Sequence, residues 1–154
     1  MTKTLKDKFN SDIPQKQGDK ISRDNIKKRG LLRFVRSFTF SIAGLKYAYK
    51  YEQSMLIHVM ATICVIAANI ILKINAMEWL LTIVAIGMVL AGELINTAIE
   101  AIVDMVTLEF HPLAKIAKDC GSAATFVLAV MAAAIGIVVY MQYIPDFLKG
   151  LGIL

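Results

Sequence analysis

The chain has 154 residues, 57% of them hydrophobic, and 17 Lys and Arg against 12 Asp and Glu for a net charge of +5. Thirteen of the basic residues fall within residues 1–50, and only Lys73, Lys115, Lys118 and Lys149 follow. An apolar fraction above the roughly 45–50% of soluble domains, behind a charge confined to one third of the chain, argues against a soluble globule and against a nucleic-acid-binding protein. Cys64 and Cys120 lack C-x-x-C spacing, and His58 and His111 are far apart. A disulfide framework and a zinc site therefore have no support.

Residues 1–30 are polar, without an apolar core or a small-residue cleavage site. They are expected to form a flexible basic cytoplasmic tail, leaving membrane insertion to the later segments. In 31–51, Leu31, Leu32, Phe34, Val35, Phe38, Ile42, Leu45 and Tyr49 recur at helical spacing between Arg33, Arg36, Lys46 and Lys50. This pattern predicts an amphipathic helix on the membrane surface, its basic face toward anionic headgroups.

Three spans follow. Residues 53–72 are uncharged and about long enough for a bilayer. A second span is expected over 78–107 and a third over 120–145, closed by Pro145. Trp79, Tyr140 and Tyr143 suit interfacial anchors. Ala129, Ala132, Ala133 and Gly136 suit close packing between helices. The fold class is thus all-α and integral to the membrane, a surface helix plus three transmembrane helices. The excess of Lys and Arg before residue 51 places the N-terminus in the cytoplasm. The second helix then runs inward, and the loop with Lys115 and Lys118 is cytoplasmic.

Within the second span, Glu93, Asn96, Glu100 and Asp104 are spaced by three, four and four residues. On a helix they fall within roughly 80° of one another. Carboxylates at membrane depth are costly and usually functional. At 1.5 Å per residue from Trp79, Glu93 lies about 21 Å in, Glu100 about 31 Å and Asp104 about 37 Å. The stripe is a ramp from lipid depth to cytosol, and the outer half of the span is expected to be apolar. Such a ramp suits the joining of a lipid-borne group to a water-soluble reagent better than a transport path. Beyond it, Glu109, Phe110, His111, Pro112, Lys115, Lys118 and Asp119 form a charged turn. Its lysines could meet phosphates and its carboxylates a metal; a solvated charged turn reads equally well.

The runs G-E-L-I-N-T-A-I-E-A-I-V-D at 92–104, E-F-H-P-L-A-K-I-A-K-D at 109–119 and G-S-A-A at 121–124 resemble the small prokaryotic diacylglycerol kinase family. That family includes the undecaprenol kinases of Gram-positive bacteria. The resemblance is close over 92–124 and continues more weakly from Arg33 through the third span, leaving 1–30 outside. It implies a homotrimeric bundle, multi-pass in the bacterial cytoplasmic membrane, with residues 31–154 as the lipid-kinase domain. It further implies transfer of the ATP γ-phosphoryl group to a lipid hydroxyl, with Mg²⁺. By motif position, Glu93 resembles the catalytic base and Asn96 its partner. Glu52 and Glu100 resemble carboxylates for Mg²⁺–ATP, and Lys118 and Asp119 a nucleotide-binding pair with Glu109, Phe110 and His111 nearby. Arg33 resembles an arginine near the phosphates and the lipid headgroup, and Ser122, with Glu93, a lipid contact. Phe110 and Phe40 depart from the family in standing where tyrosines are common. Asp104 reads either as a supporting group or as a helix-packing partner.

These roles suit phosphoryl transfer, which needs positioning, charge neutralisation and a proton acceptor. Three spans in one chain cannot enclose an acidic stripe, a nucleotide and a lipid, so a site shared between subunits is expected. A cation-coupled transport subunit would require polar groups in the outer half. A noncatalytic scaffold would require basic partners within the spans, and none is expected there. For the lipid, E-Q-S-M-L-I-H at 52–58 resembles the undecaprenol kinase pattern, whereas G-S-A-A at 121–124 resembles the diacylglycerol kinase branch. Undecaprenol is favoured, with diacylglycerol second.

Overall fold

The computed structural model describes residues 31–150 and residue 152, with side chains from residue 37 on. The expected tail, 1–30, and the Arg33 side chain lie outside the described residues. The elements are α1 (Leu31–Tyr51), α2 (Gln53–Leu72), α3 (Ala76–Val106), α4 (Pro112–Met141) and α5 (Ile144–Gly150), and no strand occurs among the described residues. The chain divides between Thr39 and Phe40 into two units, and the site lies in the second. Three helices, α2, α3 and α4, are long and apolar enough to cross a membrane.

Two boundaries differ from those the uncharged stretches suggest. Pro112 takes the first turn of α4, where its missing N–H costs nothing, and His111 caps it by accepting the Leu113 N–H at Nδ1 (3.2 Å). Lys115 and Lys118 therefore ride on the third long helix and not in a loop before it. At the other end α4 stops at Met141, and Pro145 lies in the first turn of α5 instead of closing α4.

The α2–α3 hairpin is set by local chemistry. Lys73 adopts the left-handed conformation (φ 51°, ψ 45°) as the C-cap of α2. Asn75 then opens α3 with a capping box: its side chain accepts the Met77 and Glu78 N–H groups, and Glu78 accepts the Asn75 N–H.

The interior is unusual in what it buries. Beside Met55, Ile74, Ala85, Val89 and Val139 it holds Asn69, Glu78, Thr82, Glu93, Asn96, Thr97 and Thr125, while large aliphatic side chains line the outside. That inversion fits a bundle solvated by lipid, where apolar contact alone gives little drive to associate. The polar groups form closed sets. Asn69, with no exposed surface, donates to Thr82 Oγ1 (2.8 Å) and accepts from the Tyr140 hydroxyl (2.6 Å), joining α2, α3 and α4. Glu78 accepts from Gln142 Nε2 and the Tyr143 hydroxyl, each at 2.5 Å. The Glu78 carboxylate, as partner, pushes the Tyr143 phenol up. Both tyrosine hydroxyls are thus spent inside the bundle rather than on headgroups. The start of α3 is not purely apolar, contrary to expectation, but its polar groups close on one another and form no path.

α3 and α4 pack most extensively. Their close approaches are at Gly92, where a Cβ would stand 2.5 Å from Leu128 Cδ1, and at Gly121, where it would stand 2.5 Å from Asn96 Oδ1. Ala129, Ala132, Ala133 and Gly136 border an apolar cavity of about 270 Å³ among α2, α3 and α4.

Removing the Tyr140 hydroxyl leaves a buried amide oxygen short of its donor. Tyr140→Phe should cost about 1 kcal/mol and Asn69→Ala more, with the double substitution costing less than the sum. Detergent-unfolding titrations of the micellar protein measure all three.

Candidate functional site

The stripe on α3 is graded in burial. Glu93 is 3% exposed and Asn96 9%, Glu100 is half-buried, and Asp104 is exposed. Access is therefore graded along this helix face, from buried Glu93 to exposed Asp104.

The deep end is held by α2. Ser54 Oγ donates to Glu93 Oε1, and His58 Nε2 lies 3.7 Å from Glu93 Oε2. Thr97 bonds the Glu93 backbone carbonyl (3.0 Å) and leaves the carboxylate alone. One turn on, Asn96 Nδ2 donates to Glu100 Oε1 (2.8 Å). Its Oδ1 is buried without a hydrogen-bond partner, facing Gly121 of α4.

Glu52 sits at the break between α1 and α2 in extended conformation (φ −101°, ψ 115°), with no side-chain cap bond. Its carboxyl is pushed above the usual range, first by burial and then by the negative fields of Glu100 and Glu93. Three carboxylates from two helix systems thus share one electrostatic neighbourhood. Tyr47 adjoins it: burial pushes its phenol up, and Glu52, Tyr51, Asp104 and Glu100 add to the effect. Among the described residues no three His, Cys, Asp or Glu side chains converge to hold a metal ion by themselves.

At the shallow end the neighbours Lys118 and Asp119 have different partners. Lys118 Nζ reaches Asp104 Oδ1 at 2.6 Å, linking α4 to α3, while Asp119 pairs with Lys115 one turn back. A basic partner on a long helix, not expected from the sequence, is therefore present, and it gives Asp104 a partner. Glu109, Phe110 and His111 are exposed on the connection between α3 and α4, Phe110 at 83%. Glu109 and His111 make local hydrogen bonds to Thr107 and Leu113. Phe40 and Ser122 are exposed. The structure thus gathers Glu52, Glu93, Asn96 and Glu100, with Lys118 beside them through Asp104. Ser54, His58 and Tyr47 were not singled out from the sequence. The four-residue spacing of Ser54 and His58, which puts both on one face of α2, was the available signal.

The prokaryotic diacylglycerol kinase family matches residues 39–140, which leaves Arg33 outside the match. The undecaprenol kinase of Bacillus subtilis is 34% identical over 111 residues, covering 72% of this chain and 90% of that protein. The diacylglycerol kinase of Pseudomonas aeruginosa is 41% identical over 98 residues, 64% of this chain and 80% of that protein. That of Helicobacter pylori strain 26695 is 38% identical over 102 residues, 66% and 79% respectively. A family match across most of the chain, joined to three membrane-length helices and a carboxylate stripe graded from buried to exposed, leaves one conclusion: the chain belongs to the prokaryotic diacylglycerol kinase family and is a bacterial membrane lipid kinase, a phosphotransferase with an alcohol acceptor.

Proposed function

We propose that this kinase transfers the γ-phosphoryl group of ATP to the hydroxyl of undecaprenol, giving undecaprenyl phosphate and ADP. It does so as a homotrimer in the cytoplasmic membrane, with its N-terminus and surface helix α1 on the cytoplasmic side. The observation that carries the lipid choice is the alignment with the Bacillus subtilis undecaprenol kinase, which spans 90% of that protein. Diacylglycerol is the second reading, favoured by the higher identity, 41%, to the Pseudomonas aeruginosa enzyme.

In this reading Glu93, at the buried end of the stripe, accepts the proton of the lipid hydroxyl. The hydroxyl oxygen attacks the γ-phosphorus, and the bond to the bridging oxygen of ADP breaks. Glu100 and Glu52, less buried, fit a divalent cation, which we take as Mg²⁺. That ion usually takes one or two carboxylates, with phosphate oxygens and water completing the shell, and two carboxylates held in each other's field suit such a charge. Bound there, such an ion would offset the charge of the triphosphate. Asn96 holds Glu100 by its hydrogen bond, with its Oδ1 packed against Gly121 of α4. Lys118, near the phosphates with Asp119, supplies a point charge. Glu109, Phe110, His111 and Phe40 border the nucleotide, and Ser122 the lipid headgroup. Site sharing between subunits covers what one chain leaves open.

Transfer from labelled ATP to undecaprenol and to diacylglycerol, offered separately to the purified protein, decides the lipid: faster phosphorylation of undecaprenol is expected. Glu93→Gln should lower turnover at least about 100-fold without altering the oligomer. Near-normal turnover in that variant would remove Glu93 as the base.

Gly121→Ala drives a methyl group into Asn96 and should reduce kcat on the order of tenfold while the protein still folds. Steady-state kinetics alongside an elution profile check this.

Because burial, and then the fields of Glu100 and Glu93, raise the Glu52 carboxyl in the folded protein, its ionisation weakens the metal-free fold as pH rises from the ordinary glutamate range through its raised value. Glu52→Gln should therefore raise the melting temperature of metal-free protein at neutral pH, and the gain should vanish at acid pH. Added Mg²⁺ and nucleotide should stabilise the wild type and not the variant. Thermal melts across pH measure both.

A further inference from the structure

A buried carboxylate must have its oxygens satisfied, or it protonates or turns away. A base must also present one lone pair, at hydrogen-bond distance, to the group that it deprotonates. Among the described residues, the hydrogen bond and ion pair of the Glu93 carboxylate both come from α2: Ser54 on Oε1 and His58 near Oε2. The two side chains do different things. The Ser54 hydroxyl occupies Oε1 and stops the carboxylate from rotating to exchange its oxygens. The His58 ring, at 3.7 Å, is outside direct hydrogen-bond reach. Its Nε2 edge faces Oε2 and leaves that oxygen's lone pair open. His58 also borders the apolar cavity among α2, α3 and α4, so it stands between the carboxylate and a lipid-like space.

We propose that Ser54 and His58 are positioning residues for Glu93: Ser54 fixes Oε1, and His58 aims Oε2 as the oxygen that takes the proton of the lipid hydroxyl. The inference rests on Glu93 being the base. It makes α2 a part of the catalytic apparatus although α2 contributes no group that reacts. Neither side chain reaches the charged end of the stripe, so their loss acts on the chemical step and not on nucleotide binding.

The test is steady-state kinetics on the full-length protein with the lipid that the wild type phosphorylates, for Ser54→Ala, Ser54→Thr, His58→Leu and His58→Gln, with Glu93→Gln alongside. The alanine and leucine variants should lose kcat by roughly tenfold or more, with KM for ATP unchanged. Thr, which restores the hydroxyl, and Gln, whose amide N–H replaces the ring donor, should recover most of it. Should the alanine or leucine variant fail to fold, Ser54→Cys and His58→Met, which keep the volume without the strong donor, take their place with the same expectation. Two results overturn the proposal while Glu93→Gln is inactive. One is turnover within about twofold of wild type in every α2 variant. The other is equal slowing in the Thr and Gln variants, which assigns the effect to packing. An active Glu93→Gln removes the base itself, and the proposal with it.

Discussion

Lipid offers no hydrogen bonds, so a carboxylate inside this bundle has only the bundle to satisfy it. Glu93, at 3% exposure, is where that constraint is most severe. The rest of the arrangement follows from meeting it. α2 must lie close enough for Ser54 and His58 to reach across, which sets the α2–α3 separation near the site. α3 and α4 must approach closely enough to seal Asn96, which is why glycines stand at 92 and 121. Farther along, the Asn69–Thr82–Tyr140 set answers the same constraint with neutral groups.

Burial is graded along a single helix face. In the proposed mechanism, the group that acts on the lipid is the most enclosed, and those that meet a hydrated ion and a nucleotide are progressively more open. Because α3 is one uninterrupted helix from Ala76 to Val106, the separation between these jobs is fixed by helical rise. Glu52, entering from the α1–α2 break, joins the neighbourhood without belonging to that helix.

What the sequence made legible was whatever depends on period and length. The three apolar helices and the common face of Glu93, Asn96, Glu100 and Asp104 come directly from 3.6-residue geometry, and the runs at 92–104 and 109–119 carried the family. Tertiary pairings were not legible. Nothing in the run around Asn69 reveals that Tyr140 answers it from 71 residues away. Lys118 and Asp119 are adjacent, yet successive residues on a helix point about 100° apart, so each has a different partner. α4 begins before its uncharged stretch because a count of uncharged residues measures lipid tolerance and not helix extent: Pro112 permits a helix to begin among charges.

The Glu78 cluster bears on the order in which the protein is made. Asn75, the cap that first satisfies Glu78, lies three residues before it, whereas Gln142 and Tyr143 lie 64 and 65 residues after it. A chain made from its N-terminus therefore completes the α2–α3 turn while Glu78 has its local partner alone. Its remaining acceptor capacity is filled only when the end of α4 has been synthesised and has docked. The bundle thus includes a bond that no chain ending before Gln142 can form, and a ribosome-bound chain stopped short of Gln142 holds a hairpin with one carboxylate still waiting.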